Sequence, residues 1–449
     1  MSSPIPATSI DQARLDTGEH GAAERGAYKW YVLVILTLIS AIGAVDRSVI
    51  SVVAEPLKTE FLLSDKQIGV LGGLAFSLPY ALAVLPMGWL IDRIDRRALL
   101  SFTVMIWSIF TAVGGLSSNF LTLVIARMGV GAAEAPSQTG SLSLIADTFP
   151  IKQRNTAISV YIAGGALGAI VIFIVGGWLL MHFTWRAVFF VSGGPGLLLA
   201  ALLYFTTREP ERGVFDPVQG PGNEAAGKDA RVGLKDTIRG MLGNAALLYA
   251  IPAITLGTGV TYSLTLWTTS FLVRVHGMSV GEGALWSGVG LGIGMTVGSL
   301  LVGPLADLIS KGDQRKLTLI PAVAMGIAVV ACAVMTLADT LAMALAGLSV
   351  MALMTGFFIA PGYSIIISLT APNERGTTLA TARLVSMLIG SGVIPMLTGV
   401  ISDAIGGRDS IRPALIFTTA LLVPATFCYV MIHRVLGKQN ESSLVSTAA

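Results

Sequence analysis

The chain has 449 residues, 53% of them hydrophobic and only 12% charged, with a mean hydropathy of +0.76. Soluble domains carry about 25% charged residues, so the polar surface that water requires is missing, and the composition excludes a soluble globular protein in favour of a polytopic membrane protein. The net charge of +3 is too small to imply a partner, and the two cysteines, Cys332 and Cys428, lie in apolar stretches that support neither a disulfide framework nor a metal site.

Residues 1–27 hold Asp11, Arg14, Asp16, Glu19, Glu24 and Arg25 without an apolar run of signal-peptide length, so they read as a disordered cytoplasmic tail before an uncleaved first span. A spanning helix needs about 20 mainly apolar residues. Such stretches occur at 30–55, 67–91, 98–117, 119–146, 155–181 and 186–205, forming a first bundle over 28–205. Residues 206–243 are charged and rich in Gly and Pro, and read as a linker. At its end Leu234, Ile238, Met241 and Leu242 follow helical spacing, with Arg231, Lys235 and Arg239 on another face. An amphipathic helix on an anionic membrane surface and a charged solvated loop both fit that pattern. Six further stretches, at 244–273, 281–306, 317–337, 340–370, 376–402 and 411–433, give a second bundle over 244–435, followed by a tail at 436–449. The expected fold is all-α, with twelve transmembrane helices in two six-helix bundles.

Basic residues set the orientation. Loops on the side of the N-terminus hold most of the 29 Lys and Arg, whereas the opposite side holds only Lys58, Lys66, Arg186, Arg274, Arg408 and Arg412. The positive-inside rule therefore places both termini in the cytoplasm of a cell that carries this multi-pass protein in its inner (plasma) membrane.

The two halves repeat one another. After the second span stands "GWLIDRIDRR" (Gly88 to Arg97), and after the eighth "GPLADLISKGDQR" (Gly303 to Arg315), with Gly and Asp at the same offsets. "FPIKQRNTA" precedes the fifth span and "APNERGTTLA" the eleventh. Parallel repeats of six spans are a transporter architecture.

With these motifs the chain resembles the major facilitator superfamily over essentially its whole length. "GWLIDRIDRR" is similar to that superfamily's loop between spans two and three, G-x-x-x-D-R-x-G-R-R, although Asp95 replaces the second glycine and Leu308 stands where the second copy would have Arg. The resemblance implies rocker-switch alternating access around a cavity lined mainly by spans one, four, seven and ten. An acid near the start of a helix meets its positive dipole end. On this reading Asp92 sits near Arg375 at the start of span eleven, and Asp307 near Arg154 at the start of span five. Together with Gly88, Arg93 and Arg96 they form an inner gate; the arginines also enforce topology.

Charges at the bilayer centre cost about 2.5–3.5 kcal/mol on insertion scales and mark functional sites. Span one carries Asp46 and Arg47 side by side; span four carries Arg127 and Glu134 seven residues apart, hence on one face. Counting the helical rise puts Asp46 about 25 Å from the N-terminal side, between Glu134 at ~20 Å and Arg127 at ~30 Å. Adjacent residues point about 100° apart, so Asp46 and Arg47 each need a separate partner. Asp46 is expected to face Arg127 in one state, with Arg47 approaching Glu134; a static ion network that only fixes packing is the alternative. None of the four histidines, His20, His182, His276 and His433, lies at mid-depth, which leaves Asp46 and Glu134 as the proton-coupling acids. Changing partners changes a carboxyl's hold on its proton.

The combination "VDRSVI", "SDKQIGVLGGLAFSLPYAL" and "ARMGVGAAEAP…LIADTF" is similar to the Spinster branch, proton-linked carriers of lysolipid-like amphiphiles such as sphingosine 1-phosphate. That resemblance implies Asp46 as the proton-sensing acid, Glu134 as its partner in span four, and Arg47 and Arg127 as counter-charges. An Asp-Arg pair in span one also occurs in organic-anion:proton symporters. In the second half, Tyr262, Trp267, Phe357, Phe358 and Tyr363 are candidate cavity aromatics, and Arg383 is a substrate charge or a snorkelling cation. The glycine run "GVGLGIGMTVG" lacks the spacing and flanking strand of a nucleotide loop and reads as close helix packing.

The expected function is a proton-coupled secondary transporter of lysolipid-like amphiphiles or hydrophobic drug-like solutes, with no enzymatic activity. An organic-anion:proton symporter and a non-transporting membrane sensor are the alternatives. Expected partners are the lipid bilayer, an amphiphilic solute and protons, with no nucleic acid. The chain is expected to act as a monomer without metal or cofactor, on the energy of a proton gradient.

Overall fold

The computed structural model describes residues 8–212, 234–310, 313–370 and 374–448. Among these, eleven helical stretches are long and apolar enough to cross a membrane. Spans one to three are Ala27–Phe61, Asp65–Ile91 and Arg96–Gly114; five and six are Ile151–His182 and Trp185–Thr206. Spans seven to twelve are Ala245–His276, Val280–Ser310, Arg315–Leu337, Leu341–Ser368, Thr377–Ile405 and Arg408–Gly437. The twelfth crossing is span four. Expected as one helix, it is broken into Phe120–Glu134 and Ser137–Thr148, because Pro136 has no N–H to continue the ladder.

The first helix begins at Thr8, so helix extends into the segment read as a disordered tail. Once the apolar span has nucleated the helix, adding Ala, Glu, Gln and Arg at its end costs little. The last helix likewise runs through the expected tail, to Ala448. At the end of the linker Leu234–Gly243 is helical and packs on spans seven and eleven, with Met241 buried and Leu242 exposed. The central part of the linker, and with it Arg231, lies outside the described residues.

We call the face at which the two chain ends emerge the terminus side, and the opposite face the distal side. In the first half, span one packs against spans five and six, and span three against six and the first segment of four. Small residues set these distances. Gly168 of span five lies on the Ala41 carbonyl of span one, and Gly131 of span four on that of Phe76 in span two, each without room for a Cβ. Helices in lipid associate largely through such close approaches.

The two bundles touch mainly in their distal halves, where span two meets eleven, five meets eight, and one meets seven. Glycines line this seam. A Cβ at Gly69 would come within 2.7 Å of the Met396 backbone, one at Gly177 within 2.8 Å of the Gly281 carbonyl. The glycine run of span eight opens as a π-type turn, Gly288–Ile293. Gly288 abuts Phe173 of span five, whereas Gly294 abuts Ser349 and Ala352 of span ten, so one run serves the seam and its own bundle. A second π-type turn, Ser386–Val393, interrupts span eleven. Toward the terminus side the bundles part.

Replacing Gly168 by Leu would wedge spans one and five apart. Overpacking of this kind costs about 1–3 kcal/mol, and thermal unfolding of the detergent-solubilised protein should show the loss, with Gly88→Leu, which faces open space, as the tolerated control.

Candidate functional site

On span one the 100° step between neighbours sends Asp46 and Arg47 to different environments. Asp46 is fully buried inside the first bundle, facing Thr111 of span three and Arg127 of span four. The side chain of Arg47 is 31% exposed at the divide between bundles and forms an ion pair with Glu134, itself only 2% exposed. Gly43, one turn before Arg47, makes that pair possible: a Cβ there would sit 2.9 Å from Glu134 Oε1 and 3.4 Å from the Arg47 guanidinium.

Arg127 faces the Asp46 carboxylate without hydrogen-bonding to it. Its Nη1 donates instead to the Asp46 backbone carbonyl at 2.8 Å, and its Nε to the Leu71 carbonyl at 3.4 Å. Leu71 lies at the end of the helix Asp65–Gly72, where span two is interrupted at Gly73. Carbonyls at a helix end lack an internal partner, and the dipole there favours a cation. The guanidinium also lies 5.4 Å from the Phe76 ring centre. Both Asp46 carboxyl oxygens, Arg127 Nη2 and Glu134 Oε2 are buried and hydrogen-bonded to nothing within the chain. The four intramembrane charges thus stand together, with bonding capacity in reserve.

Across the divide Arg383 is exposed, and its Nη2 donates to Gln138 Oε1 at 2.8 Å, bridging span eleven to the second segment of span four. It reaches into the space between bundles rather than snorkelling to the surface. Tyr363 and Ser386 lie close by, and the charges of Arg47 and Arg383 both bear on Tyr80 of span two, with Tyr262 of span seven alongside. Tyr161 of span five joins Ser40, Ser137 and Ser141 near Arg47.

Three candidate cavity aromatics belong elsewhere. Trp267 is fully buried, its Nε1 donating to the Pro395 carbonyl at 3.0 Å, because Gly259 and Gly390 let span eleven lie close against span seven within the second bundle. Phe357 packs with Val302, Ile320 and Ala324 between spans eight and nine. Phe358 fills the space over Gly257 toward Met325. Each points into its own bundle, since neighbouring residues on span ten diverge by the same 100° that separates Asp46 from Arg47. Tyr80, Tyr161 and Gln138 were not singled out from sequence. Gln138 had a signal, a polar side chain one turn beyond Glu134 on span four, whereas Tyr80 and Tyr161 lie on spans two and five and carried none.

The distal side is latched by residues the sequence left among the loop charges. Arg274, at the end of span seven, grips Asp65 with two bonds of 2.7 and 2.8 Å and reaches Glu55 of span one at 2.6 Å. Lys58 and Ser402 complete the partners of the buried Asp65, at 2.5 and 2.6 Å. The Asp403 carboxylate, at the end of span eleven, accepts from the Asp65 and Lys66 N–H groups at 2.8 Å each, capping span two from the other bundle. Gly399 leaves no room for a Cβ beside the Asp65 carbonyl and so permits that approach.

At the terminus side the expected gate is not assembled in this conformation. Asp92, Asp307 and Arg375 are exposed; Arg375 turns to the Thr370 carbonyl at 3.4 Å and Arg154 to that of Ala146 at 2.7 Å. Arg93 lies over the Trp89 ring, 4.0 Å from its centre. Arg96 is not a gate residue here but a buried tie within the first bundle, joining Asp147 and Ser143 of span four to Glu209 after span six. Glu209 also accepts from the Arg97 N–H at 3.0 Å, while Arg212 donates to the carbonyls of Ile91, Asp92 and Ile94. The start of the linker is thereby strapped across the loop that carries the motif. The two halves of the gate have no reason to meet while the bundles are apart on this side.

Removing one partner of a buried pair costs about 3–5 kcal/mol. Asp65→Asn should therefore loosen the distal latch, and spin labels on the distal ends of spans one and seven should report longer distances than in the unsubstituted protein.

The sequence matches the Major Facilitator Superfamily model over residues 36–324 and 286–444. It is 26% identical over 424 residues to an MFS-type efflux pump of Mycolicibacterium smegmatis, covering 94% of this chain and 96% of that one. It is 27% identical over 447 residues to a probable galactarate/D-glucarate transporter of Bacillus subtilis, again with 94% and 96% covered. The fold superposes with a TM-score of 0.82 on the crystal structure of a bacterial homologue of the human lysosomal transporter Spinster in an inward-facing, unoccupied conformation, at 30% identity, covering 92% of this chain and 98% of that one. The family model spans both repeated halves and the solved fold superposes over nearly the whole chain, so the chain belongs to the Major Facilitator Superfamily.

Proposed function

We propose that the protein is a proton-coupled secondary carrier of organic anions that works by alternating access, with both termini in the cytoplasm of the plasma membrane. The ion pair between Arg47 and Glu134 carries this reading, because it places an exchangeable cation at the wall of the divide and a carboxylate behind it. A proton taken up by Glu134 releases Arg47 to a solute carboxylate or phosphate. Asp46, buried one residue away, is the second proton carrier, and its partners Thr111 and Arg127 sit on the neighbouring spans three and four. Conversion between states opens the distal latch around Asp65 and assembles Asp92, Arg375, Asp307 and Arg154 on the terminus side.

A lysolipid-like anionic amphiphile is the second reading, favoured by the likeness to the Spinster homologue. Its charged head would take the same arginines, and Tyr80, Tyr262 and Tyr363 would face its less polar part. A cationic drug fits less well, since the divide presents Arg47 and Arg383.

Purified protein in proteoliposomes should accumulate labelled galactarate or an anionic lysolipid under an imposed pH gradient, and a protonophore should abolish this. Asp46→Asn and Glu134→Gln should each lower gradient-driven flux about tenfold or more, the loss of an interaction worth at least ~1.4 kcal/mol, while retaining solute exchange at equilibrium. Gradient-independent flux in the unsubstituted protein would refute coupling. Absence of flux for every anion would favour a sensor.

A further inference from the structure

The charges around the divide do not balance. Arg47 is paired with Glu134, and Arg127 stands behind the wall against Asp46. Arg383, exposed on the opposite wall, has no carboxylate partner among the described residues; its acceptor is the neutral amide of Gln138. A hydrogen bond between an ion and a neutral amide is weaker than one between two ions. The Gln138 contact is therefore one that a stronger acceptor would displace.

Resting on the carrier reading, we infer that Arg383 sets the charge of the solute, and that the site takes a dianionic group, two carboxylates or one phosphomonoester, in preference to a monoanion. Two cations from opposite bundles meet span four on the divide, Arg47 from span one at Glu134 and Arg383 from span eleven at Gln138. Their present acceptors, Glu134 and Gln138, are four residues apart, on either side of the break in span four. One negative charge satisfies Arg383; the second satisfies Arg47 once Glu134 releases it. A monoanion leaves one of the two cations facing solvent or bound to its resident acceptor.

The same geometry ties charge recognition to movement. Arg383 lies three residues before the π-type turn Ser386–Val393, and Tyr363 of span ten and Ser386 border it. A dianion held by both arginines replaces the contact between Arg383 and Gln138 with one that spans the bundles through the solute. A solute held only by Arg47 leaves the second bundle without a grip.

The test compares equilibrium binding to the full-length protein in nanodiscs by calorimetry, with two probe pairs. Galactarate is set against galactonate, its monoacid counterpart, and lysophosphatidic acid against lysophosphatidylglycerol, whose phosphodiester carries a single negative charge. The unsubstituted protein should bind the dianion of at least one pair about tenfold or more tightly than its partner, and the pair that shows the preference tells a sugar acid from a lipid. Arg383→Gln should bring that ratio close to one, whereas Arg383→Lys should keep most of it. A ratio unchanged in Arg383→Gln, or equal affinities in the unsubstituted protein, overturns the inference and leaves the carrier reading standing. Binding of none of the four probes overturns both.

Discussion

A charge in a hydrocarbon slab is tolerated only when another group answers it, and the architecture of this protein follows from where those answers come from. Arg47 is answered by Glu134, and Arg127 by two backbone carbonyls and an aromatic face. These partners lie on spans one, two and four, so the helices must approach closely at mid-depth. Gly43 and Gly131 allow this; the break at Gly73 leaves the Leu71 carbonyl for Arg127, and the break at Pro136, further along span four, changes its direction just after Glu134. The arrangement is held together by the need for compensation, yet it is not saturated. Its unbonded oxygens and its partly exposed arginine are what favour the proposed site over a packing motif.

The same logic acts at longer range in the distal seam. Two helical bundles have no hydrophobic reason to adhere inside lipid. Backbone contact at Gly69, Gly177 and Gly399 brings them near enough for Asp65, Arg274 and Asp403 to bond across the gap. Glycine supplies proximity and charge supplies specificity. Because the polar bonds sit at one rim, the alternating access proposed above would exchange them for a set at the opposite rim without dismantling either bundle.

The spans were legible because apolar length is a one-dimensional property, and the pairing of Arg47 with Glu134 was legible because helical rise converts residue number into depth. Direction around the helix was harder. Nothing in "GFFIAPGYS" tells that Phe357 and Phe358 turn inward to their own bundle while Tyr363 reaches the divide; that depends on which neighbour each helix face meets. Trp267 was misjudged for the same reason. The distal latch was hidden because Asp65, Arg274 and Asp403 are far apart in the chain and, singly, resemble ordinary loop charges. The gate motif was visible, but which state displays it was not, since one sequence encodes both states.

The break in span four bears on all of this. Glu134 closes one helical segment and Gln138 begins the next, with Pro136 between them. No ladder bond has to be broken for the segments to tilt, because the proline has already removed it. The carboxylate that pairs with Arg47 and the amide that meets the opposite bundle are thus mounted on two sides of a joint. In the carrier proposed above, span four is then less a wall than a linkage, through which a proton exchanged at one arm would change the angle of the other.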